Sequence, residues 1–142
     1  MILLDANLLL YAHNATSREH GQAEAWIRNR LSDPEMIGLT WDTILAFLRV
    51  ATAPRVFSNP FELDTAISII DKWLALPNVV TVFPTQRHWQ IFRQLLPQTR
   101  ARASLFMDAH LAALAIEHGA TLCTNDRDFA RFPGLKVEFP IQ

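Results

Sequence analysis

Short apolar runs alternate along the chain with longer stretches whose apolar residues recur every three or four positions. Ile2 to Leu4, stopped by Asp5, predicts a buried strand, and Asn7 to His13 a brief helical turn. Helical spacing follows through Ala23, Trp26, Ile27 and Leu31, ended by Asp33-Pro34. Met36 to Thr40 is a second apolar run. From Trp41 a helix runs through Ile44, Leu45, Leu48 and Ala51 to Pro54. Asn59-Pro60 opens a helix carrying Leu63, Ala66, Ile67, Ile70 and Leu74, and Val79 to Phe83 predicts a strand. Thr85 caps a helix with Trp89, Phe92 and Leu96 that ends at Pro97, and polar, basic 98–103 forms a loop. Asp108 opens a helix over 109–118, closed by Gly119. Thr121 to Thr124 predicts a strand, 125–132 a turn with a short helix, and Lys136 to Phe139 an edge strand.

Strands that alternate with helices make βαβ units. The expectation is a three-layer α/β/α domain over 1–142, with a central parallel sheet of four to five short strands. In such open sheets ligands bind beyond the carboxyl ends of the strands. Asp5 follows the first strand, Thr40 and Asp42 the second, and Thr124, Asn125, Asp126 and Asp128 the strand ending near Thr124. Asp108 begins the helix that leads into that strand. Each acid has a plain alternative: Asp5 caps a helix, Asp108 sits where a helix dipole favours an acid, and Asp126 starts a turn. Three carboxylates at one rim repel one another, so at least one has its pKa raised unless a cation intervenes. An all-oxygen site with open positions suits Mg²⁺ or Mn²⁺, and such a site supports phosphodiester hydrolysis.

Composition narrows the classes. Half of the 142 residues are hydrophobic and 19% are charged, which excludes a disordered or fibrous chain. The net charge of −1 rules out a global basic field but leaves room for a local basic patch. Arg49 shares a helix face with Asp42, and Arg100 and Arg102 precede Asp108, so all three are candidates for phosphate contact. A structural ion pair for Arg49 and a solvated loop for Arg100 and Arg102 stand as alternatives. Cys123 is a lone thiol in an apolar run and reads as buried and inert. His88 is assigned to the surface or to packing, His118 to a helix end, and no acid–base constellation is foreseen around His110 or His13. The start of the chain lacks a basic region, and no stretch approaches the roughly 18 apolar residues of a membrane span. The expected location is the cytoplasm.

The residues together resemble a PIN-domain protein of the VapC toxin type. The matching stretches are Ile2-Leu3-Leu4-Asp5-Ala6-Asn7, Trp41 with Phe47-Leu48-Arg49-Val50-Ala51-Thr52, and Pro54-Arg55-Val56-Phe57. They continue with Met107-Asp108-Ala109-His110 through Ala115 and Thr124-Asn125-Asp126-Arg127-Asp128-Phe129, covering nearly the whole chain in order. The resemblance implies an Mg²⁺- or Mn²⁺-dependent endoribonuclease that acts on RNA. It also implies a cognate antitoxin and a homodimer. Its acids correspond to Asp5, Asp108 and Asp126, with Asn7, Thr124 and Asn125 as supporting polar groups. One slot departs from the pattern. The family usually carries a Glu in the helix after the second strand, and Ala46 stands there. Asp42, one turn earlier, or Asp128 is the candidate replacement. A module that binds RNA or a protein without cutting is the alternative. The apolar residues Phe47, Leu48, Val50 and Phe57 suggest a partner surface.

Overall fold

The computed structural model describes residues 1–54, 57 and 59–142; Arg55 and Val56 of the Pro54–Phe57 stretch lie outside the described residues. Five strands form one all-parallel sheet: β1 (Ile2–Leu4), β2 (Ile37–Thr40), β3 (Val79–Val82), β4 (Thr121–Cys123) and β5 (Lys136–Glu138). Their spatial order is β3-β2-β1-β4-β5. β1 lies at the centre, with Ile2 beside Ile37 on one flank and Thr121 on the other. A strand covered on both faces must be apolar throughout, which is why Ile2, Leu3 and Leu4 follow one another without a polar residue. β5 is an edge strand. Its Glu138 accepts from the Trp26 indole at 3.0 Å and pairs with Arg30 at 2.6 Å, so charge covers the edge.

Helices cover both faces. On one side α1 (Ala6–His13), α2 (His20–Leu31), α3 (Trp41–Ala51) and α4 (Leu63–Leu74) pack on Ile2, Leu4, Ile37 and Leu39. On the other, α5 (His88–Leu95) and α6 (Ser104–Glu117) pack on Leu3, Val82 and Leu122. The alternation of Leu3 against Ile2 and Leu4 separates the two cores. α6 buries an almost continuous alanine-rich run, Leu111 to Ala115, whose small side chains let it lie close to the sheet. It ends where Gly119, at φ +62°, lets Ala120 N reach back to Ala115 O at 2.9 Å and Gly119 N to Ile116 O.

Three expectations change. α6 begins at Ser104, so Asp108 lies on its second turn rather than at its start. The left-handed Arg100 and Ala101 turn the chain, and helical bonding resumes at once with Leu105 N on Arg102 O and Phe106 N on Ala103 O. α4 starts at Leu63, later than Asn59-Pro60 suggested. Phe47 and Phe57 are 0% and 5% exposed and belong to the core, while Trp41 and Leu45 are the exposed apolar residues of α3. The free thiol of Cys123 is buried, and burial pushes its pKa up to about 12. No helix among the described residues is long and apolar enough to cross a membrane.

Gly38 shows how tightly the centre of the sheet is packed. A Cβ there would meet Leu3 Cδ2 at 2.3 Å and Val82 Cγ2 at 2.7 Å, whereas a Cβ at Gly21 in α2 meets nothing within 4 Å. Gly38→Ala is therefore expected to destabilise the protein by about 1–3 kcal/mol through overpacking. Gly21→Ala should stabilise it by roughly 0.4–1 kcal/mol by restricting the unfolded chain. Urea denaturation of both variants checks the pair, and an equal effect at both positions would contradict the packing argument.

Candidate active site

β1 leads by way of α1 and α2 to β2 on one flank of the sheet, while β4 leads to β5 on the other. The chain thus reverses its direction of travel between β1 and β4, and a crevice opens beyond their carboxyl ends. Asp5 leaves β1 there and Thr124 leaves β4. Asp5 N donates to Cys123 O at 3.0 Å, which ties the two strand ends together.

A buried hydroxyl organises the crevice. Thr124, fully buried, donates from Oγ1 to Asp5 Oδ2 at 2.7 Å. The same oxygen accepts from Asn7 Nδ2 at 3.1 Å and from Asp126 N at 3.0 Å. Asn7 also donates to Asp5 Oδ2 at 3.0 Å and accepts from Asn125 N at 3.1 Å. The segments after β1 and β4 therefore share one polar network, which includes the three supporting residues expected from the sequence. Asp5 Oδ1 accepts from Ala6 N at 2.7 Å and caps α1, and Asp126 Oδ1 accepts from Asp128 N at 2.9 Å. The capping alternatives for these two acids are thus real, and each residue caps while standing at the rim. The dipole alternative for Asp108 does not survive its place one turn inside α6.

A cleft of about 470 Å³ opens at this rim, lined by Asp5, Asp42, Ala46, Arg49 and Asp108, with Leu45, Met107 and Leu111 as apolar walls. Asp42 sits on the first turn of α3. That turn is fixed by Thr40, whose Oγ1 accepts from Thr43 N at 3.1 Å, and by Thr43, which donates to Leu4 O at 2.8 Å. Arg49 lies at the far end of the same face. Asp126 is not part of the cleft wall, yet its charge acts on both Asp5 and Asp108. Asp128 is exposed and pairs with Arg131 at 3.0 Å. Arg100 and Arg102 are exposed and do not line the cleft.

The electrostatics follow from burial and crowding. Burial raises the pKa of Asp5, the bonds from Thr124 and Ala6 oppose this, and the charge of Asp126 adds to the rise. Asp108 is pushed up to about 6, first by burial and then by the charges of Asp126, Asp5 and Asp128, with Arg131 opposing. Among the described residues no three His, Cys, Asp or Glu side chains are drawn together tightly enough to clasp one ion. The acids instead surround a space and repel across it. An oxygen-only donor set carrying excess negative charge fits a hard divalent cation, whose arrival relieves that repulsion.

Two groups escaped the sequence reading. Arg131 supplies the positive charge nearest to the acids' balance, and nothing in its surroundings along the chain marks it. His110, for which no constellation was foreseen, lies in one: its Nε2 is 2.8 Å from Asp42 Oδ2 and its Nδ1 is 2.8 Å from His88 Nε2. His88 is half-buried and continues the series to Glu117, so its assignment to the surface is also corrected. Only the folded chain brings positions 42, 88, 110 and 117 together.

A family model for the PIN domain matches residues 2–135. The ribonuclease VapC37 of Mycobacterium tuberculosis is 42% identical over 99% of this chain and 97% of its own. Among solved structures, VapBC2 from Rickettsia felis bound to a promoter DNA fragment superposes with a TM-score of 0.71 at 20% identity, covering 97% of this chain and 98% of the other. A toxin–antitoxin complex from Klebsiella pneumoniae gives a TM-score of 0.64 at 19% identity, covering 99% and 98%. The chain belongs to the PIN-domain family, among its VapC ribonucleases.

The charge coupling has a measurable consequence. The folded pKa of Asp108, about 6, lies above its ordinary 3.8. Between these values the native state keeps a proton that the unfolded chain has lost, so without a cation this group makes stability fall as pH rises through the window. Asp126→Asn should lower the Asp108 pKa and flatten that fall, as read by carbon NMR of the carboxyls and by denaturation across the window. An Asp108 that titrates at the ordinary value in the metal-free wild type would contradict the crowding.

Proposed function

We propose that the chain is the toxin of a type II toxin–antitoxin pair, hydrolysing RNA phosphodiesters at the cleft with Mg²⁺ or Mn²⁺ held by Asp5, Asp108 and Asp126. The observation that carries this is the convergence of repelling carboxylates at the β1–β4 reversal, with Asp108 raised to about 6. Bound there, the ion would acidify water and offset the charge that builds on phosphorus under attack. The protein supplies the rest. Thr124 and Asn7 hold the Asp5 carboxylate in one orientation, so its geometry is set before substrate arrives. Asp42 adds a further catalytic carboxylate on the opposite wall. Arg49, within the cleft, is placed to pair with a phosphate; Arg100 and Arg102 would meet RNA only outside the cleft itself. Water attacks phosphorus, the bond to the 3′ oxygen breaks, and the products carry 5′-phosphate and 3′-hydroxyl ends.

The fold neighbours described as VapBC and toxin–antitoxin complexes support a cognate antitoxin as partner. Trp41 and Leu45, 49% and 61% exposed, leave apolar surface at the cleft edge for that partner or for a second copy in a homodimer. Action in the cytoplasm is part of the same proposal. Ala46 lines the cleft without a carboxylate, and this favours a second reading in which the module binds RNA and does not cut it.

Incubation of purified protein with RNA and Mn²⁺ tests the reading. Cleavage should vanish with a chelator and in Asp5→Asn, whose circular dichroism should match the wild type. Full-rate cleavage by Asp5→Asn would refute the site. Tight RNA binding by a wild type that neither cuts nor takes up Mn²⁺ would establish the second reading.

A further inference from the structure

Four side chains form an unbroken series from the interior to the cleft. Glu117, at the end of α6, has a fully buried side chain; its Oε1 accepts from Thr85 N at 2.7 Å and its Oε2 lies 2.7 Å from His88 Nδ1. His88 Nε2 meets His110 Nδ1 at 2.8 Å, and His110 Nε2 meets Asp42 Oδ2 at 2.8 Å. Side-chain exposure rises along the series, from 0% at Glu117 through 14% and 23% at the histidines to 31% at Asp42. Phe92 stacks on His88 and stands edge-on to His110, which fixes both rings. The series therefore has a rigid buried end and a free end in the cleft.

Its placement matters more than its length. Asp42 belongs to α3 on one face of the sheet and His110 to α6 on the other. The Asp42–His110 contact thus bridges the two helical layers across the carboxyl rim, beside Asp108 on the same helix. An aspartate on the first turn of a helix is free to fold back on its own backbone amides. Here Oδ2 is held by His110 instead, while Oδ1 makes no hydrogen bond among the described residues and remains available in the cleft. Three bonds in series between two carboxylates need three protons, and two neutral imidazoles bring two. A third proton completes the series and places one positive ring between two negative ends.

We propose that His110 is a positioning residue for Asp42, anchored through His88 to Glu117, and that it presents Asp42 as the fourth acid of the cleft in place of the carboxylate that Ala46 lacks. The proposal rests on the cleft being a cation-dependent nuclease site. His110 touches neither substrate nor ion. It sets the orientation of Asp42 and the separation of α3 from α6.

Four variants test it: Asp42→Asn, His110→Ala, His110→Gln and the double variant Asp42→Asn/His110→Ala. Each is read by Mn²⁺ calorimetry, by kcat and KM on RNA, and by nitrogen NMR of the histidine rings. His110→Ala and Asp42→Asn should each lower Mn²⁺ affinity or kcat by about 10- to 100-fold, as loss of an outer-shell partner does. KM should change little, and the double variant should be no worse than either single one. Gln keeps an amide donor for Asp42 and should restore most of the loss. Asp42→Asn should also shift the ring nitrogens of His110 and, through the series, those of His88. Should His110→Ala not fold, His110→Phe keeps the ring and its contact with Phe92 without a nitrogen. Losses that multiply in the double variant overturn the positioning role, as does a His110→Ala protein with wild-type affinity and kcat. A wild type that binds no Mn²⁺ and cuts no RNA instead overturns the reading of the cleft, and the role of Asp42 with it.

Discussion

The hydroxyl of Thr124 is the interaction on which the candidate site depends. It stands between the ends of β1 and β4, where the chain reverses its direction of travel, and it bonds to Asp5, Asn7 and the backbone of Asp126. A buried hydroxyl with every partner supplied is stiff, because any movement would leave a polar atom unpaired in a place without water. Two carboxylates are thereby held near each other despite their repulsion. The folding energy of the sheet offsets that repulsion, so the conflict persists in the native state as the raised pKa of Asp108. A cation is the natural resolution, and the site is built of the oxygen ligands such an ion prefers.

The two cores explain how the site stays assembled. Ile2 and Leu4 hold β1 to the layer of α1 to α4, and Leu3 holds it to α5 and α6. Asp5 is thus anchored to both layers by the three residues before it. The walls of the cleft come one from each layer, α3 with Asp42 and Arg49, α6 with Asp108. A cleft between two independently packed layers needs something to set its width, and the contact from Asp42 to His110 is the one polar bridge the described residues place there.

The carboxylates also serve the fold. Asp5 and Asp126 each use one oxygen to cap the element that follows them. This economy has a physical basis. A helix start beyond a strand end presents unpaired amides, and the acid that satisfies them stands at the same carboxyl rim where ligands bind. Structural capping and a role in the cleft are therefore compatible in one side chain.

Much of this was legible in the residues themselves. Apolar runs of three or four residues bounded by Asp5, Thr40 and Thr124 announce strands and mark where they end, because a buried parallel strand tolerates no polar interruption. The candidate acids at 5, 108 and 126 follow from the same pattern, and Thr124, Asn125 and Asn7 are found beside them because they are close along the chain to a strand end. The start of α6 was misjudged, since the left-handed turn at Arg100 and Ala101 is a conformation that neither residue type advertises. The network of Glu117, His88, His110 and Asp42 left no local trace. Its members lie on three helices and meet only when α3 and α6 close on opposite faces of the sheet, so local pattern determines the strand-end acids and tertiary packing alone decides which histidine stands behind which carboxylate.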